Sequence, residues 1–330
     1  MSRQKTIIKI GKIGVRCLEI ISLPIVYLAA LLLKFIRKIG LWRLPILRKT
    51  FYSVGVLPIV DHYYEPLTNP SRLKKSLAED RNLSGLDLNT SEQLQILNTF
   101  HYSNELSTSE SSKERGPHYH FDNIYFTGGD AEYYYNIIRL FHPKNIIEIG
   151  SGFSTLLALK ATVQNVAEGS PPCAILSIEP YENPWLKKTS VTLLQEKIEE
   201  TDVTLFDSLK AGDILFIDSS HMIRPQGDVL YEYFEILPRL APGVLVHIHD
   251  IFTPKDYPED WVVNDGRLWN EQYLVEAFLM MNTQFRIIGA LNYLWHHYNE
   301  EFTAKCPCLK TEDIAGRRHK EPSSLWLMKN

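Results

Sequence analysis

Cysteine is scarce in this chain of 330 residues, which contains only Cys17, Cys173, Cys306 and Cys308. Their spacing provides neither a disulfide framework nor a four-ligand zinc motif, and Cys306-Pro-Cys308 alone is a weak metal signal. Disulfide-stapled secreted domains and zinc fingers are therefore excluded. We expect the thiols to be reduced, as they are in the cytosol.

Acidic residues are almost missing from residues 1–50, which contain eleven Lys or Arg and a single acid, Glu19. The rest of the chain has 24 basic and 38 acidic residues, so the two parts differ in sign. This asymmetry indicates an anionic surface as the partner of the basic part. Nucleic acid is not favoured as that partner, because no interleaved aromatic and basic residues accompany the charge.

An uncharged run of membrane-spanning length is also missing from this basic part. Residues 20–33 form an apolar run of fourteen, whereas a span needs about 20, and we expect Pro24 to interrupt it. Before the run, Lys5, Lys9, Lys12 and Arg16 share one face of a predicted amphipathic helix. We predict that this helix lies on the inner face of the membrane and makes the protein cytoplasmic and peripheral. The alternatives are a helix docked on the protein's own core or on a second copy in a homo-oligomer, and a true span.

Three segments follow from the composition: a basic membrane-associating leader at 1–50, an accessory segment with a polar, Ser-rich linker at 51–120, and an α/β domain at 121–330. In the third segment, helical patterns alternate with short apolar runs, which predict seven strands: "NIIEIG", "AILSIEP", "VTLLQEK", "DILFIDS", "GVLVHIHDI", "FRIIGAL" and "SSLWLMK". Such alternation predicts a mostly parallel sheet with helices on both faces. Ligands of these sheets bind at the carboxyl ends of the strands.

The stretch "NIIEIGSGFSTL" at 145–156 joins the first strand to a helix through glycines. Gly150 and Gly152 would let the backbone approach a ligand closely. We expect Glu148 at the mouth of the pocket, where it would repel a pyrophosphate and attract a cation. Because Thr155 replaces the third glycine of the dinucleotide fingerprint, a nicotinamide dehydrogenase is disfavoured.

Glu179 ends the second strand in "ILSIEP". A carboxylate there could accept hydrogen bonds from both hydroxyls of a ribose. The alternative is a solvated acid at a strand end.

These motifs resemble those of the class I S-adenosylmethionine-dependent methyltransferases, over about residues 121–330. The resemblance is carried by "IIEIGSGFST", "SIEP", "DILFIDSSH" and "LPRLAPGVLVHIHD", and is strongest to the bacterial branch with Asp-x-x-His after the fourth strand and His-Asp after the fifth. It implies a Rossmann-like catalytic domain with an N-terminal helical extension. It also implies S-adenosylmethionine as the cofactor. Ser154 departs from the family pattern, which has a third glycine at this position.

The resemblance implies a role for each cofactor-binding residue. Glu148 would face the methionyl amino end, Gly150 and Gly152 the cofactor backbone, and Glu179 the ribose. The remaining predicted contacts are Ser151, Ser154 and Asp218, together with Gly128 and Asp130, which precede the first strand and could close over the cofactor.

The predicted reaction centre lies at the ends of the fourth and fifth strands, which are neighbours about 4.8 Å apart in such a sheet. Asp218, His221, His249 and Asp250 should converge there. In one use, Asp218 and Asp250 hold Mg²⁺ or another divalent cation that activates a substrate hydroxyl. In the other, which we favour because two carboxylates are few for a hard cation, His221 or His249 is the general base. Each histidine could instead be structural, and His247 is interpreted so.

The favoured hypothesis is O-methylation of a sugar, glycan or lipid-linked acceptor by in-line methyl transfer. The alternative is a catalytically inactive, methyltransferase-like module tethered to the membrane.

Overall fold

The computed structural model describes residues 2–106, 117–121, 123, 125–181, 183–311 and 321–330, without the side chains of residues 2–13, 310 and 311. The chain divides into two compact units, Met1–Lys74 and Lys75–Asn330. The segment boundaries predicted after residues 50 and 120 stay predictions.

The first unit is helical. Helix α1 spans Ser2–Ile39, a 3₁₀ turn spans Leu41–Arg43, and helix α2 spans Pro45–Val54. The expectation that Pro24 interrupts the apolar run was wrong, because Pro24 lies inside the continuous α1. Proline removes one backbone hydrogen bond, and the apolar helix formers on both sides carry the helix past it.

Within the part of α1 from Gly14 to Ile39, which has 26 residues, an apolar window of 18 residues has a mean hydropathy of 2.0, and 6% of this window is buried. By length and composition alone, this helix could cross a membrane. This segment is longer than the uncharged run at 20–33, because it includes charged residues on both sides of the run, among them Glu19 and Lys34.

The second unit is built on a seven-stranded sheet. Its strands are β1 Asn145–Ile149, β2 Ala174–Ile178, β3 Thr192–Leu194, β4 Ile214–Ile217, β5 Leu245–Ile248, β6 Phe285–Ala290 and β7 Leu325–Lys329. Its α-helices are α3 Thr90–Asn98, α4 Asp130–Phe141, α5 Phe153–Ala167, α6 Asp228–Tyr231, α7 Leu237–Arg239, α8 Glu271–Leu279, α9 Leu291–His297 and α10 Asn299–Lys305. A π-helical turn, Glu232–Ile236, joins α6 to α7.

The strand order is β3-β2-β1-β4-β5-β7-β6, with β7 antiparallel to both of its neighbours and the other pairs parallel. The predicted Rossmann-like, mostly parallel seven-stranded sheet is thereby confirmed. Two apolar clusters of buried residues cover its faces, one with α4 and α5, the other with the α6–α7 helix and α8. The order reverses between β1 and β4, so the carboxyl ends of β1 and β4 border a crevice.

Helices α9 and α10, between β6 and β7, were not predicted from the sequence. All seven predicted strands are present.

Candidate active site

The loop Gly150–Gly152, called the glycine loop below, links β1 to α5. Gly150 has φ 82°, and a Cβ there would lie 2.2 Å from the backbone oxygen of Asp218. The left-handed conformation and this close approach both require glycine. The glycine at position 150 is therefore explained by the close packing of the ends of β1 and β4 against each other.

Gly152 differs from Gly150 in both respects. Its φ is −178°, which any residue can adopt, and a Cβ at this position would meet no atom within 4 Å. Neither backbone conformation nor packing thus explains the missing side chain. Gly152 lines a cavity, so its small size leaves room for a ligand.

Glu148 lies beneath the glycine loop. It is 1% exposed, and its two carboxylate oxygens accept hydrogen bonds from the hydroxyls of Ser154 (2.6 Å) and Thr155 (2.5 Å). Burial raises the pKa of Glu148 to about 8, although both hydroxyls oppose the shift. The structure therefore places Glu148 in the interior and not at the pocket mouth. Its carboxyl group is largely neutral at pH 7.

This burial makes stability depend on pH. The folded protein keeps the Glu148 proton up to pH about 8, whereas the unfolded chain releases it near 4.5. The Glu148 contribution to the free energy of unfolding should therefore fall by roughly 1.4 kcal/mol per pH unit as pH rises between these values. Glu148→Gln removes this dependence, so urea midpoints of the two proteins should diverge from pH 5 to pH 9 in favour of the variant. Parallel curves would show that Glu148 is ionised in the folded state.

Glu179 holds the other side of the glycine loop. Its Oε2 accepts hydrogen bonds from the amide and hydroxyl of Ser151, both at 3.2 Å, and its Oε1 accepts one from the amide of Tyr181 at 2.9 Å. At 8% exposure, Glu179 fixes the loop from the end of β2. Its carboxylate orients Ser151, which lines the same cavity as Gly152.

The two predicted cofactor contacts upstream of β1 lie elsewhere. Asp130 is 1% exposed, and its Oδ1 accepts hydrogen bonds from the amides of Ser323 and Ser324, both at 2.9 Å. Neither Gly128 nor Asp130 lines the cavity beside the glycine loop. The hydroxyl of Ser323 in turn donates to Asp250 Oδ1 at 3.0 Å, so Asp130 positions Asp250 through Ser323.

The structure brings together the four residues of the predicted reaction centre. The Nε2 atom of His221 lies 3.3 Å from Asp218 Oδ1 and 3.8 Å from Asp250 Oδ2, and His249 Nε2 lies 3.4 Å from Asp250 Oδ1. His221 and Asp250 both have φ 58°, an uncommon conformation outside glycine that is frequent at functional sites.

Glu271, the first residue of α8, holds the far side of the His221 ring. The Nδ1 atom of His221 donates to Glu271 Oε2 at 2.8 Å, and the backbone oxygen of His221 accepts from the amides of Asn270 and Glu271. Glu271 is fully buried. The start of α8 thus clamps both the ring and the backbone of His221.

Charge at this centre is shared between the acids and the imidazole. Burial lowers the pKa of His221, but hydrogen bonds with Asp218 and Glu271 outweigh burial and raise the pKa well above its usual value. Burial raises the pKa of Asp218, and the neighbouring His249 and His221 reverse this, so its pKa is lowered. Asp218 is therefore a carboxylate beside a positively charged His221.

His247 is fully buried and lies against Phe216, with ring centroids 3.9 Å apart, and near Ser324 Oγ at 2.8 Å. Burial lowers the pKa of His247 well below its usual value. These contacts agree with the structural role interpreted from the sequence.

Two cavities meet at this centre. The glycine-loop cavity, of about 660 Å³, is lined by Ser151, Gly152, Phe153, Ser154, Asn183 and Trp185. The tryptophan cavity, of about 1150 Å³, is lined by His221, His249, Asp250, Trp261, Arg267 and Trp269. Asp218 and Tyr125 line both. A group bound in one cavity can therefore reach a group bound in the other beside Asp218.

Within the described residues, no group of three or more His, Cys, Asp or Glu side chains has the arrangement of a metal site. Asp218 and Asp250, the predicted metal ligands, both face His221 Nε2.

Residues 147–251 match the model of a methyltransferase domain family. They cover most of β1, the glycine loop, the acid at the end of β2 and both strand ends of the reaction centre. This segment of the chain is a methyltransferase domain, in agreement with the predicted class I S-adenosylmethionine-dependent methyltransferase.

Other proteins resemble this methyltransferase more distantly. An uncharacterized protein of Archaeoglobus fulgidus is 27% identical over 175 residues, which are 49% of this chain and 78% of that protein. An O-methyltransferase of Bacillus cereus in complex with SAH is similar in structure at a TM-score of 0.36 and 11% identity, over 73% of this chain and 91% of that one. The MycE methyltransferase of the mycinamycin biosynthetic pathway, in complex with Mg and SAH, has a TM-score of 0.30 and 14% identity, over 60% of this chain and 49% of that one.

The methyltransferase has a site that fits S-adenosylmethionine. The space beside Gly152 is free of protein atoms, and Asp218 presents a carboxylate to the same cavity, which suits a cationic ligand. Of the residues predicted to bind this cofactor, Ser151, Gly152, Ser154 and Asp218 line the glycine-loop cavity. Gly150, Glu148 and Glu179 support the loop from beneath or behind.

Proposed function

We propose that this methyltransferase methylates a hydroxyl group of a sugar or glycan bound in the tryptophan cavity. The observation that carries the proposal is the junction of the two cavities at Asp218, within 3.3 Å of the His221 imidazole. A methyl donor on one side and a hydroxyl on the other would meet next to a group that can hold a proton.

S-Adenosylmethionine, when bound, supplies a methyl group on a positively charged sulfur. The chain has to place the acceptor hydroxyl in line with that methyl group, exclude water and receive the hydroxyl proton. The glycine loop, held by Glu179 and Glu148, gives the donor side a rigid wall. Asp218 stabilises positive charge at the junction.

His221 is positioned to receive the proton. Its Nε2 faces Asp218 and Asp250, while Glu271 fixes Nδ1 and so the orientation of the ring. The carboxylates that raise its pKa keep the imidazole protonated at rest, so the hydroxyl proton is received by the neutral fraction of His221, which grows as pH rises. His249, which contacts Asp250, supports the same cluster.

A divalent cation between Asp218 and Asp250 would be a second way to activate the hydroxyl. In this structure the His221 imidazolium neutralises the charge of the two carboxylates, which both face its Nε2. A bound cation would neutralise that charge instead. Activity that disappears with a chelator and returns with Mg²⁺ would assign this role to the metal.

The walls of the tryptophan cavity suit a neutral, hydroxyl-rich acceptor. The rings of Trp261 and Trp269 lie 5.2 Å apart at 78°, and Arg267 lies over both. Carboxylates, which accept hydrogen bonds from hydroxyls, outnumber the cationic side chains here; they are Asp218, Asp250, Asp256, Glu259, Asp260, Asp265 and Glu321. A phosphate or carboxylate near the reacting atom would be repelled.

The test is incubation of the protein with methyl-deuterated S-adenosylmethionine and fractionated glycan and lipid extracts, followed by mass spectrometry. We expect deuterated methyl ether on a sugar in one fraction. Label on nitrogen or on a carboxylate would overturn the hydroxyl assignment. Calorimetry without heat of S-adenosylmethionine binding would instead favour the inactive module.

Glu179→Ala should weaken S-adenosylhomocysteine binding by roughly 10- to 100-fold, the effect expected when a charge-assisted hydrogen-bond anchor is lost. The variant frees Ser151 and leaves the core intact, so its melting temperature should stay close to that of the native protein. Lys187→Ala, in the segment that follows Asn183, is a matched surface control. Calorimetry gives both affinities, and an unchanged value for Glu179→Ala would remove Glu179 from the cofactor site.

A further inference from the structure

Helix α2 exposes an amphipathic surface. At 100° per residue, Ile46, Leu47 and Val54 fall on one face and Arg48 and Lys49 on the other. Thr50 also falls on the apolar face, where its hydroxyl donates to the backbone oxygen of Ile46. The three apolar side chains are 80%, 37% and 69% exposed. A ten-residue helix with an uncovered apolar face needs an apolar environment to cover it.

The turn before α2 has the composition of a membrane interface. Trp42 is 72% exposed, and the Arg43 guanidinium lies 4.5 Å from the centroid of its ring. Tryptophan favours the boundary between headgroups and hydrocarbon, because its ring is apolar and its N–H needs a polar partner. Arginine beside it can meet lipid phosphate.

Helix α1, which directly precedes this surface, indicates what covers it. Except for Ile36 near its end, α1 exposes apolar side chains around its whole circumference, among them Ile20, Ile21, Ile25 and Val26. A protein groove would cover one face of such a helix, whereas hydrocarbon covers every face. The 3₁₀ turn starts two residues after α1 ends, so both elements meet the same boundary.

Charge selects the kind of membrane. Between residues 37 and 49, every charged residue is cationic: Arg37, Lys38, Arg43, Arg48 and Lys49. Arg37 pairs with Glu65, whereas the other four cations form no ion pair with any residue in the part of the chain that the structure describes.

We propose that residues 41–54 lie along the surface of an anionic lipid bilayer, with Ile46, Leu47 and Val54 in the hydrocarbon and Arg48 and Lys49 among the headgroups. This interfacial segment follows α1 and ends with α2 at Val54. The inference is independent of the proposed methyl transfer.

The experiment uses the full chain reconstituted in phosphatidylcholine vesicles with and without phosphatidylserine. A nitroxide spin label is attached to Val54→Cys on the apolar face or to Tyr52→Cys on the polar face. Cys17 and Cys173, which are the less buried native thiols, are replaced by serine. Collisions of the label with oxygen report hydrocarbon, and collisions with a nickel complex report water.

In anionic vesicles, we expect the label at 54 to gain oxygen collisions and lose nickel collisions, and the label at 52 to keep its nickel collisions. The contrast should disappear in phosphatidylcholine alone and in the variant Arg43→Gln/Arg48→Gln/Lys49→Gln. Equal nickel access at both positions in anionic vesicles would overturn the proposal. Shielding of position 54 from both reagents, in vesicles and in detergent, would also overturn it and would assign the apolar face to a second copy of the chain.

Discussion

Replacement of Gly152 by leucine is expected to raise the dissociation constant of S-adenosylmethionine by roughly a hundredfold or more, equivalent to about 2.7 kcal/mol. The leucine side chain would enter the glycine-loop cavity, where a Cβ at this position meets no protein atom. Because φ is −178°, the backbone accepts the substitution without strain. Calorimetry measures the affinity, and thermal unfolding shows whether the fold is retained.

Gly150→Ala is the matched comparison two residues away. Its Cβ would collide with the Asp218 backbone oxygen at 2.2 Å in a left-handed conformation, so the expected loss is stability, on the order of several kcal/mol. The two variants thus distinguish loss of the space for a ligand from loss of packing within the protein. If Gly152→Leu bound the cofactor as tightly as the native protein, the cofactor would have to occupy another cavity.

Replacement of His221 by alanine should lower the rate of methyl transfer by roughly 10²- to 10⁴-fold, the range for loss of a general base. The variant removes the group that faces Asp218 and Asp250 and is held by Glu271. Single-turnover rates at saturating cofactor separate this effect from weaker binding.

His297→Ala is the control for the same residue type. His297 does not line the tryptophan cavity, and its Nε2 lies 2.7 Å from Asp80 Oδ2. Its rate should stay near that of the native protein. Glu271→Gln keeps a hydrogen-bond acceptor for His221 Nδ1, so it should lower the rate of methyl transfer less than His221→Ala does. Equal rates for His221→Ala and the native protein would show that His221 is not the base, and activation of the hydroxyl would then be assigned to Asp218, Asp250 or a metal.

The pattern of apolar runs predicted the seven strands of the sheet, because buried parallel strands have sequences that are short, continuous and apolar and are bounded by turns. Helices α9 and α10 were missed because they follow β6 with no loop and share the aromatic and polar composition of a turn-rich segment.

The position of Glu148 could not be predicted, because a strand-end acid reads the same whether its carboxylate faces a cavity or the hydroxyls of Ser154 and Thr155. Asp130 shows the same difficulty: its proximity to β1 in sequence suggested the cofactor, whereas its partners are nearly two hundred residues away at the start of β7. Contacts between distant segments leave no local signal.

Convergence of Asp218, His221, His249 and Asp250 was predicted, because neighbouring parallel strands end at one edge of the sheet. The clamp from Glu271 was not assigned. An acid in the first turn of a helix is also explained by the helix dipole, so its bond to His221 could not be distinguished from that ordinary role.

The origin of the tryptophan cavity wall has a consequence for how this enzyme can diversify. Phe252, Trp261, Arg267 and Trp269 all come from the single connection between β5 and α8, whereas the glycine-loop cavity is built from the segment before β1 and the segments that follow β1, β2 and β4. Insertions or exchanges within that connection can reshape what the enzyme accepts as substrate while the donor half of the catalytic unit is inherited unchanged. Relatives with different acceptors are then expected to differ most in length and sequence at this one connection.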